Sequence, residues 1–261
     1  MKITDGRGKI LSLAAPPKRI VSLVPSTTES LFALGCGESV VGITRFCVHP
    51  ADRLAGLVKV GGTKDLVIER LEALKPDLVI GNVEENTTEM FQTIEDRFPL
   101  YAAFPRTVDD AIDDLRTMGR LIGAEPEAAQ WADRITAARQ RLHAAVRPGK
   151  DFAYLIWRNP WMAVSGDTFI SAMLAEAGRV NALADAPTRY PTIEPAQLAE
   201  IGAILLSSEP FPFQDKHREE LADLAGIPTS RISLVDGELC SWHGVRMAAA
   251  FDWLAAVAPG W

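Results

Sequence analysis

The stretch "RIVSLVPSTTESLFALG", residues 19–35, joins an apolar, β-branched run to an apolar helical pattern through a turn rich in hydroxyl side chains. Ser26 and Glu29 fit the S-x-x-E capping box of a helix N-terminus, and Gly35 falls where such a helix would end. In parallel α/β sheets the carboxyl end of a strand and the N–H groups that open the next helix face the same crevice. The stretch therefore predicts a parallel sheet with a ligand site at this edge, without identifying the ligand.

Short strand-like runs alternate with helical patterns along both halves of the chain. A helix is expected after "GGTKD", with Ile68, Leu71 and Leu74 facing inward and its end before Pro76. The runs that we predict to be strands are RIVSLV (19–24), VVGIT (40–44), DLVIG (77–81), LYAAF (100–104), FAYLIW (152–157), AILLSS (203–208) and RISLV (231–235). Such alternation is typical of βαβ units, so the predicted fold class is α/β with parallel sheets.

A long amphipathic pattern separates the two halves. In "PEAAQWADRITAARQRLHAAV", residues 126–146, apolar side chains recur at i, i+4, i+7 and i+11, at Trp131, Ile135, Ala138 and Leu142. This spacing predicts one helix, which would be about 30 Å long at 1.5 Å per residue. We therefore predict two α/β lobes joined by a helical connector that carries this long backbone helix, with the boundaries 1–106, 107–149 and 150–261.

The composition is that of an ordinary globular protein of 261 residues, of which 48% are hydrophobic and 23% charged. A net charge of −7 argues against nucleic acid as a partner, because phosphate binding needs a basic surface. The three cysteines are too few for a disulfide framework, and no apolar run approaches the roughly 20 residues of a membrane helix. The first residues lack the order of a signal peptide. We expect a cytoplasmic monomer if Met1 is the natural start, and a periplasmic one if a leader has been removed.

Five segments, taken in order, resemble a known family. They are RIVSLVPSTTESLFALG (19–35), VVGITRFCVHP (40–50), VGGTKDLVIERLEALKPDLVIG (60–81), PWMAVSGDTFISAMLAEAGRVN (160–181) and ILLSSEPFPF (204–213). The chain is similar to the cobalamin and iron-chelate substrate-binding proteins of bacterial ABC importers, whose two α/β lobes are joined by a rigid helix. The resemblance, which covers about residues 5–253, implies a ligand held between the lobes, little hinge motion and no catalysis.

The resemblance also implies which residues hold the ligand. In cobalamin-binding relatives, aromatic side chains of both lobes sandwich a flat corrin ring, and Trp161, Tyr190 and Trp242 lie in the matching second-lobe segments. At the first-lobe position where the best-known cobalamin binder has tryptophan, this chain has Thr63 or Lys64. The expected ligand-binding residues, which include charged side chains for anionic groups, are Arg45, Phe46, Thr63, Lys64, Trp161, Tyr190, Glu209, Trp242 and His243.

Several alternatives concern the same segments. The aromatic side chains could fill the lobe cores, a role as favoured as ligand contact for Trp157. Cys47 with His49, and Cys240 with His243, could form a Cys₂His₂ set for direct zinc binding, or His243 could contact a chelated metal. A thiolate–imidazole pair from either motif would suit a Cys/His enzyme, although no oxyanion hole is identified.

The resemblance further implies an ABC permease as partner. Glu69 matches the carboxylate through which the first lobe of such receptors docks onto an arginine of the permease. At the matching second-lobe position the chain has Ala196, while Glu194 and Glu200 stand at shifted positions. We therefore expect a small-molecule binding protein without a required cofactor, whose ligand is cobalamin or an iron chelate. Its role is that of an importer component or of an intracellular carrier, store or sensor.

Overall fold

A computed structural model of the protein describes residues 1–260, which form two compact units. Unit 1 comprises Met1–Pro105, Asp109–Arg134 and His243–Arg246. Unit 2 comprises Arg106–Val108, Ile135–Trp242 and the chain from Met247 onward. Each unit contains its own sheet and helices, so the predicted α/β class is confirmed.

Unit 1 is built on a parallel sheet. Its strands are β3 (Ile20–Ser22), β4 (Val40–Ile43), β5 (Val58–Lys59), β6 (Leu78–Asn82) and β7 (Leu100–Ala103), in the order β5–β4–β3–β6–β7. The predicted runs at 19–24, 40–44, 77–81 and 100–104 are thereby confirmed as strands. Strands β3, β6 and β7 are buried along their whole length, which explains their continuous apolar sequences. The N-terminal strands β1 (Lys2–Thr4) and β2 (Ile10–Ser12) form a separate antiparallel pair that we did not predict.

The helices of unit 1 follow its strands. They are α1 (Pro25–Ala33), α2 (Ile68–Leu74), α3 (Thr88–Glu95), most of α4 (Val108–Ile122) and the first part of α5 (Glu125–Ala145). Helix α2 is confirmed, with Leu71 fully buried and Lys75 closing the helix in the left-handed conformation.

The start of α1 corrects the predicted capping box. The helix begins at Pro25, Val24 is its N-cap, and no side chain accepts a capping hydrogen bond there. Proline suits the first turn because its fixed φ is helical and its missing N–H would have no partner there in any case. Ser26 therefore lies inside the helix, and the carboxylate of Glu29 binds Arg246 instead of the backbone. Gly35 follows the helix at φ 81°, as predicted.

Unit 2 has a smaller sheet in the order β11–β10–β8–β9, formed by β8 (Phe152–Trp157), β9 (Met162–Ala163), β10 (Ala203–Ser207) and β11 (Ile232–Val235). Strands β8, β10 and β11 are parallel and confirm the three predicted runs, while β9 pairs antiparallel at one edge. The helices that complete this unit are α6 (Phe169–Ala175), α7 (Asp215–Ala225), α8 (Gly237–Ser241) and α9 (Met247–Val257).

The long connecting helix is continuous from Glu125 to Ala145. Ile135, Ala138 and Leu142 are fully buried, and the indole N–H of Trp131 donates to the carbonyl of Ala33 at 3.3 Å. The predicted apolar stripe is therefore confirmed. The division between the two units falls inside this helix, after Arg134. Within residues 1–260, no helix combines the length and the apolar character that crossing a membrane requires.

Candidate functional site

Parallel α/β sheets bind ligands at the carboxyl ends of their strands, where the strand order reverses. In unit 1 this point lies between β3 and β6, because β4 and β5 lie on one side of β3 and β7 lies beyond β6. Asn82 is the last residue of β6, and the segment His243–Arg246 belongs to the same unit. Two distant parts of the chain therefore meet at this edge.

Asn82 sets the tautomer of His243. The side-chain oxygen of Asn82 accepts hydrogen bonds from the backbone N–H groups of Glu84 (2.8 Å) and Glu85 (3.3 Å), which turns its amide nitrogen toward His243 Nε2 at 3.2 Å. An amide nitrogen can only donate, so Nε2 accepts and the ring proton is on Nδ1. Burial lowers the pKa of His243 to about 4, so the ring is neutral at pH 7. Metal contact through Nε2 would require loss of the Asn82 hydrogen bond.

The segment 243–246 is held against α1. The backbone N–H of Val245 donates to Ser30 Oγ at 3.3 Å, and Arg246 forms a two-pronged ion pair with Glu29 at 2.8 and 2.9 Å. Gly244 has φ 88°, and a Cβ at this position would lie 2.3 Å from Ser30 Oγ, so the close approach requires glycine. We did not expect these contacts, because adjacency to His243 is the only signal that the sequence offers for them.

Arg45 and Phe46 lie together on the loop that follows β4. The guanidinium of Arg45 binds both carboxylate oxygens of Asp65, at 2.6 and 3.0 Å, and stacks 4.7 Å from the centre of the Phe46 ring. The Phe46 side chain is 48% exposed. The loop therefore presents an exposed aromatic face, and an anionic ligand group would compete with Asp65 for Arg45.

Thr63 and Lys64 are placed by the neighbouring loop after β6. The ammonium of Lys64 donates to the carbonyl of Glu84 at 3.0 Å, and the Asn86 amide donates to the carbonyl of Thr63 at 2.8 Å. Lys64 is exposed, whereas Thr63 is half-buried. The two expected residues thus share one edge of unit 1 with Asn82.

Cys47 lies in a buried pocket of hydroxyl groups. Its sulfur is 3.1 Å from Thr28 Oγ1 and 3.2 Å from Thr44 Oγ1, and Thr28 Oγ1 is also 2.9 Å from Ser22 Oγ. Because these buried groups hydrogen-bond to one another, none of them needs a ligand to satisfy it. His49 is half-buried three residues beyond the exposed Phe46.

Cys240 is a buried thiol of unit 2. Burial raises the pKa of the Cys240 thiol, which lies beside the Tyr154 hydroxyl in unit 2. Among residues 1–260, no three His, Cys, Asp or Glu side chains form a group that could hold a metal ion. Within this part of the chain, the predicted zinc set of Cys47, His49, Cys240 and His243 therefore has no support.

An aromatic row runs through the carboxyl-end loops of unit 2. Trp157, which ends β8 and is 40% exposed, contacts Phe211 edge-to-face at 5.7 Å between ring centres. Phe211 contacts Phe213 at 4.7 Å, and Phe213 stacks on Trp161 at 5.8 Å. Trp161 is only 7% exposed and lies in the hydrophobic core of this unit. Of the aromatic side chains for which a core role was an alternative, Trp161 packs in the core, whereas Trp157 presents an exposed aromatic face.

Glu209 and Trp242 are joined in the same unit. The indole N–H of Trp242 donates to Glu209 Oε1 at 2.9 Å, and the hydroxyl of Ser241 donates to the same oxygen at 2.8 Å. Burial raises the pKa of Glu209. Trp242 is 8% exposed, and Tyr190 is half-buried in the irregular chain between α6 and β10.

Comparisons with known proteins agree with this architecture. A family model described as "Periplasmic binding protein" matches residues 20–204. The chain is 28% identical over 211 residues to the Vitamin B12-binding protein of Vibrio cholerae serotype O1, which covers 77% of this chain and 74% of the relative. The periplasmic heme-binding protein RhuT from Roseiflexus sp. RS-1 superposes with a TM-score of 0.77 at 27% identity, over 92% of this chain and 97% of that one. An ABC-type Fe3+-hydroxamate transport protein from Saccharomonospora viridis shares the fold at 20% identity, with a TM-score of 0.80 over 99% and 98% of the two chains.

Proposed function

Because the chain belongs to the periplasmic binding protein family, we propose that it binds a flat, metal-containing small molecule of the corrinoid or iron-chelate class. The observation that carries this proposal is the exposed ring of Trp157, which contacts the half-buried Phe211 edge-to-face at the carboxyl end of the unit 2 sheet. Phe46 offers a second exposed ring in unit 1. An aromatic face against a planar ligand contributes about 1 kcal/mol beyond area burial, so such side chains favour a macrocycle. The similarity to proteins described as binding vitamin B12 and heme supports the same class.

The proposed role is binding without catalysis. Cys47 contacts hydroxyl groups of its own unit, and the raised pKa of Cys240 disfavours the thiolate that a nucleophile needs. His243 accepts a hydrogen bond from Asn82 in place of a nucleophile's proton. These arrangements suit packing and ligand contact better than acid–base chemistry.

The proposed partner is an ABC permease, with the protein on the outer side of the cytoplasmic membrane. Glu69 is exposed in the first turn of α2, where a basic side chain of a partner could reach it. Ala196, at the matching position of unit 2, is exposed in the short turn Pro195–Leu198 and offers no charge. Docking through Glu69 alone is therefore the form of the interaction that we propose. Recovery of the native protein in the cytosolic fraction would favour the intracellular carrier role instead.

Capture of a coloured ligand tests the proposed function. The protein is expressed in separate cultures supplied with cyanocobalamin, hemin or a ferric hydroxamate, purified quickly, and examined by native mass spectrometry and visible absorption. We expect one of these molecules to remain bound at one per chain. Purification of colourless, folded protein from every culture, with no added mass, would count against the proposal.

A further inference from the structure

Hydrogen bonds hold both the side chain and the backbone of Glu209 in place. Its Oε1 receives hydrogen bonds from Ser241 Oγ and Trp242 Nε1, at 2.8 and 2.9 Å. Its backbone is also fastened, because Ser207 Oγ donates to the Glu209 carbonyl at 2.5 Å and lies 3.1 Å from its N–H. The hydroxyl of Tyr154 donates to Ser207 Oγ at 2.8 Å beneath it. The carboxylate position is therefore fixed from both the backbone and the side chain.

The second carboxylate oxygen is left for another donor. Within residues 1–260, the side-chain hydrogen bonds of Glu209 all go to Oε1, and no basic side chain pairs with this group. The nearby charged groups are Glu238 and Asp236, which are themselves acidic. Burying half of a carboxylate without a cation beside it costs free energy. A neutral hydrogen-bond acceptor would therefore fill a purely structural role here at a lower cost.

The fold makes room for this side chain at Gly237. A Cβ at position 237 would lie 2.4 Å from Glu209 Cγ and 2.6 Å from Ser207 Oγ. The first residue of α8 therefore has to be glycine if the Glu209 side chain is to keep its path. Glu209 follows β10 by two residues, and Trp157 ends the adjacent parallel strand β8, so both lie at the carboxyl end of the same sheet.

We propose that Oε2 of Glu209 accepts a hydrogen bond from an N–H group on the rim of the bound ligand and so selects ligands that bear amides over ligands that bear carboxylates. This proposal rests on the proposed function and names the chemistry of its ligand. A hydrogen bond from an amide to a carboxylate is strengthened by the charge, whereas a ligand carboxylate would meet Glu209 with Asp236 and Glu238 close by. The site thus combines an attractive contact for one ligand chemistry with repulsion of the other.

Two corrinoids that share the ring and the cobalt test this selection. Dicyanocobinamide carries amides on its rim, whereas dicyanocobyrinic acid carries carboxylates at the corresponding positions. Equilibrium dialysis of the full chain should show at least tenfold tighter binding of dicyanocobinamide. Glu209→Gln keeps one oxygen for Ser241 and Trp242 and replaces the other with an N–H donor. We expect Glu209→Gln to reduce the ratio of the two dissociation constants at least tenfold, partly because it binds dicyanocobyrinic acid more tightly.

Two further variants separate selection from charge and from folding. Asp223→Asn removes one exposed negative charge from α7 and should leave the preference unchanged. Gly237→Ala keeps the Glu209 charge but displaces its side chain, and should weaken dicyanocobinamide binding without improving binding of the acid. An unchanged preference in Glu209→Gln, or an equal loss for both corrinoids together with a lower melting temperature, would overturn the proposal.

Failure of this proposal is distinguishable from failure of the proposed function. If the wild-type protein binds hemin or a ferric hydroxamate but not dicyanocobinamide, selection by Glu209 is wrong and the chelate-binding function stands. If it binds dicyanocobyrinic acid as tightly as dicyanocobinamide, the selection is likewise wrong. If it binds none of these molecules, the proposed function itself fails.

Discussion

His243 is a neutral imidazole whose Nε2 accepts a hydrogen bond from a residue 161 positions away, Asn82. Two backbone N–H groups orient the Asn82 amide, and the amide in turn orients the ring. Because burial disfavours the imidazolium, folding excludes a proton that the unfolded chain would take up in mild acid. His243 therefore contributes to the pH dependence of the protein's stability.

The pH dependence of unfolding tests this linkage. The pKa of His243 falls from 6.5 to about 4 on folding, so between these values the unfolded chain binds more protons than the folded one. We expect the contribution of His243 to the free energy of unfolding to decrease by roughly 3 kcal/mol as the pH falls from 6.5 toward 4. Above pH 7 this contribution is constant. His243→Gln, whose amide oxygen can still accept from Asn82, should lose this part of the pH dependence in urea unfolding curves.

The control for that experiment is Gln140→Asn, which changes an exposed side chain of α5 and neither adds nor removes a titratable group. It should keep the wild-type pH dependence in the range from 6.5 to 4. Identical curves for wild type and His243→Gln would show that the imidazole is charged or solvated in the folded protein, contrary to the structure.

Trp157 and Trp161 form a second test at single residues. Trp157 is 40% exposed and Trp161 is 7% exposed, although both belong to one aromatic row. Trp157→Ala should weaken ligand binding about tenfold and leave the melting temperature nearly unchanged, because it removes a contact of about 1 to 1.5 kcal/mol that only the ligand completes. Trp161→Ala should instead cost about 3 kcal/mol or more of folding stability. If thermal melts and ligand titrations showed instead that Trp157→Ala lowers stability and Trp161→Ala weakens binding, the ligand would not contact Trp157.

Among the elements, the segment 243–246 is the one that side-chain contacts tie to both α1 and the end of β6. The chain leaves unit 2 after Trp242, and residues 243–246 belong to unit 1. It returns to unit 2 at Met247, where α9 begins. Hydrogen bonds and an ion pair to Asn82, Ser30 and Glu29 hold this segment, and only glycine fits at 244. The edge of the unit 1 sheet therefore depends on residues near the end of the chain.

Gly244→Ala tests how strictly that segment is positioned. The substitution combines an unfavourable positive φ with a Cβ 2.3 Å from Ser30 Oγ, so we expect a loss of at least about 2 kcal/mol in urea unfolding. Gly226→Ala is the control, because Gly226 also has a positive φ, of 66°, but no atom lies within 4 Å of the added Cβ. That control should cost only about 1 kcal/mol. Equal losses in the two variants would mean that 244–246 does not pack closely on α1.

Periodicity was sufficient to predict the main strands and the long helix, because their apolar spacing is local information. The predicted start of α1 was wrong because Pro25 takes the first helical position. Ser26 therefore lies inside the helix and cannot form the capping box with Glu29. The pairs Asn82 with His243 and Glu209 with Trp242 could not be predicted. They depend on how strands and loops are brought together, and no spacing along the chain encodes such contacts.

For the whole molecule, the family assignment and the exposed aromatic rings point to the same function by independent routes. The family model matches residues 20–204, and the rings of Trp157 and Phe46 are exposed in carboxyl-end loops of separate sheets. The net charge argues against nucleic acid as a partner, but the identity of a ligand depends on individual rim contacts that composition and periodicity do not carry. The function that we propose is therefore the binding of a metal-containing small molecule.

Titration of the ligand-free wild-type protein tests that claim most directly. Cyanocobalamin, dicyanocobinamide, hemin and a ferric hydroxamate are each added to a fixed protein concentration, and binding is followed by visible absorption and equilibrium dialysis. We predict saturable binding of at least one of them at one molecule per chain, with a Kd in the micromolar range or tighter, equivalent to about −8 kcal/mol or better. Linear, unsaturable uptake of all four by protein that circular dichroism shows to be folded would contradict the account.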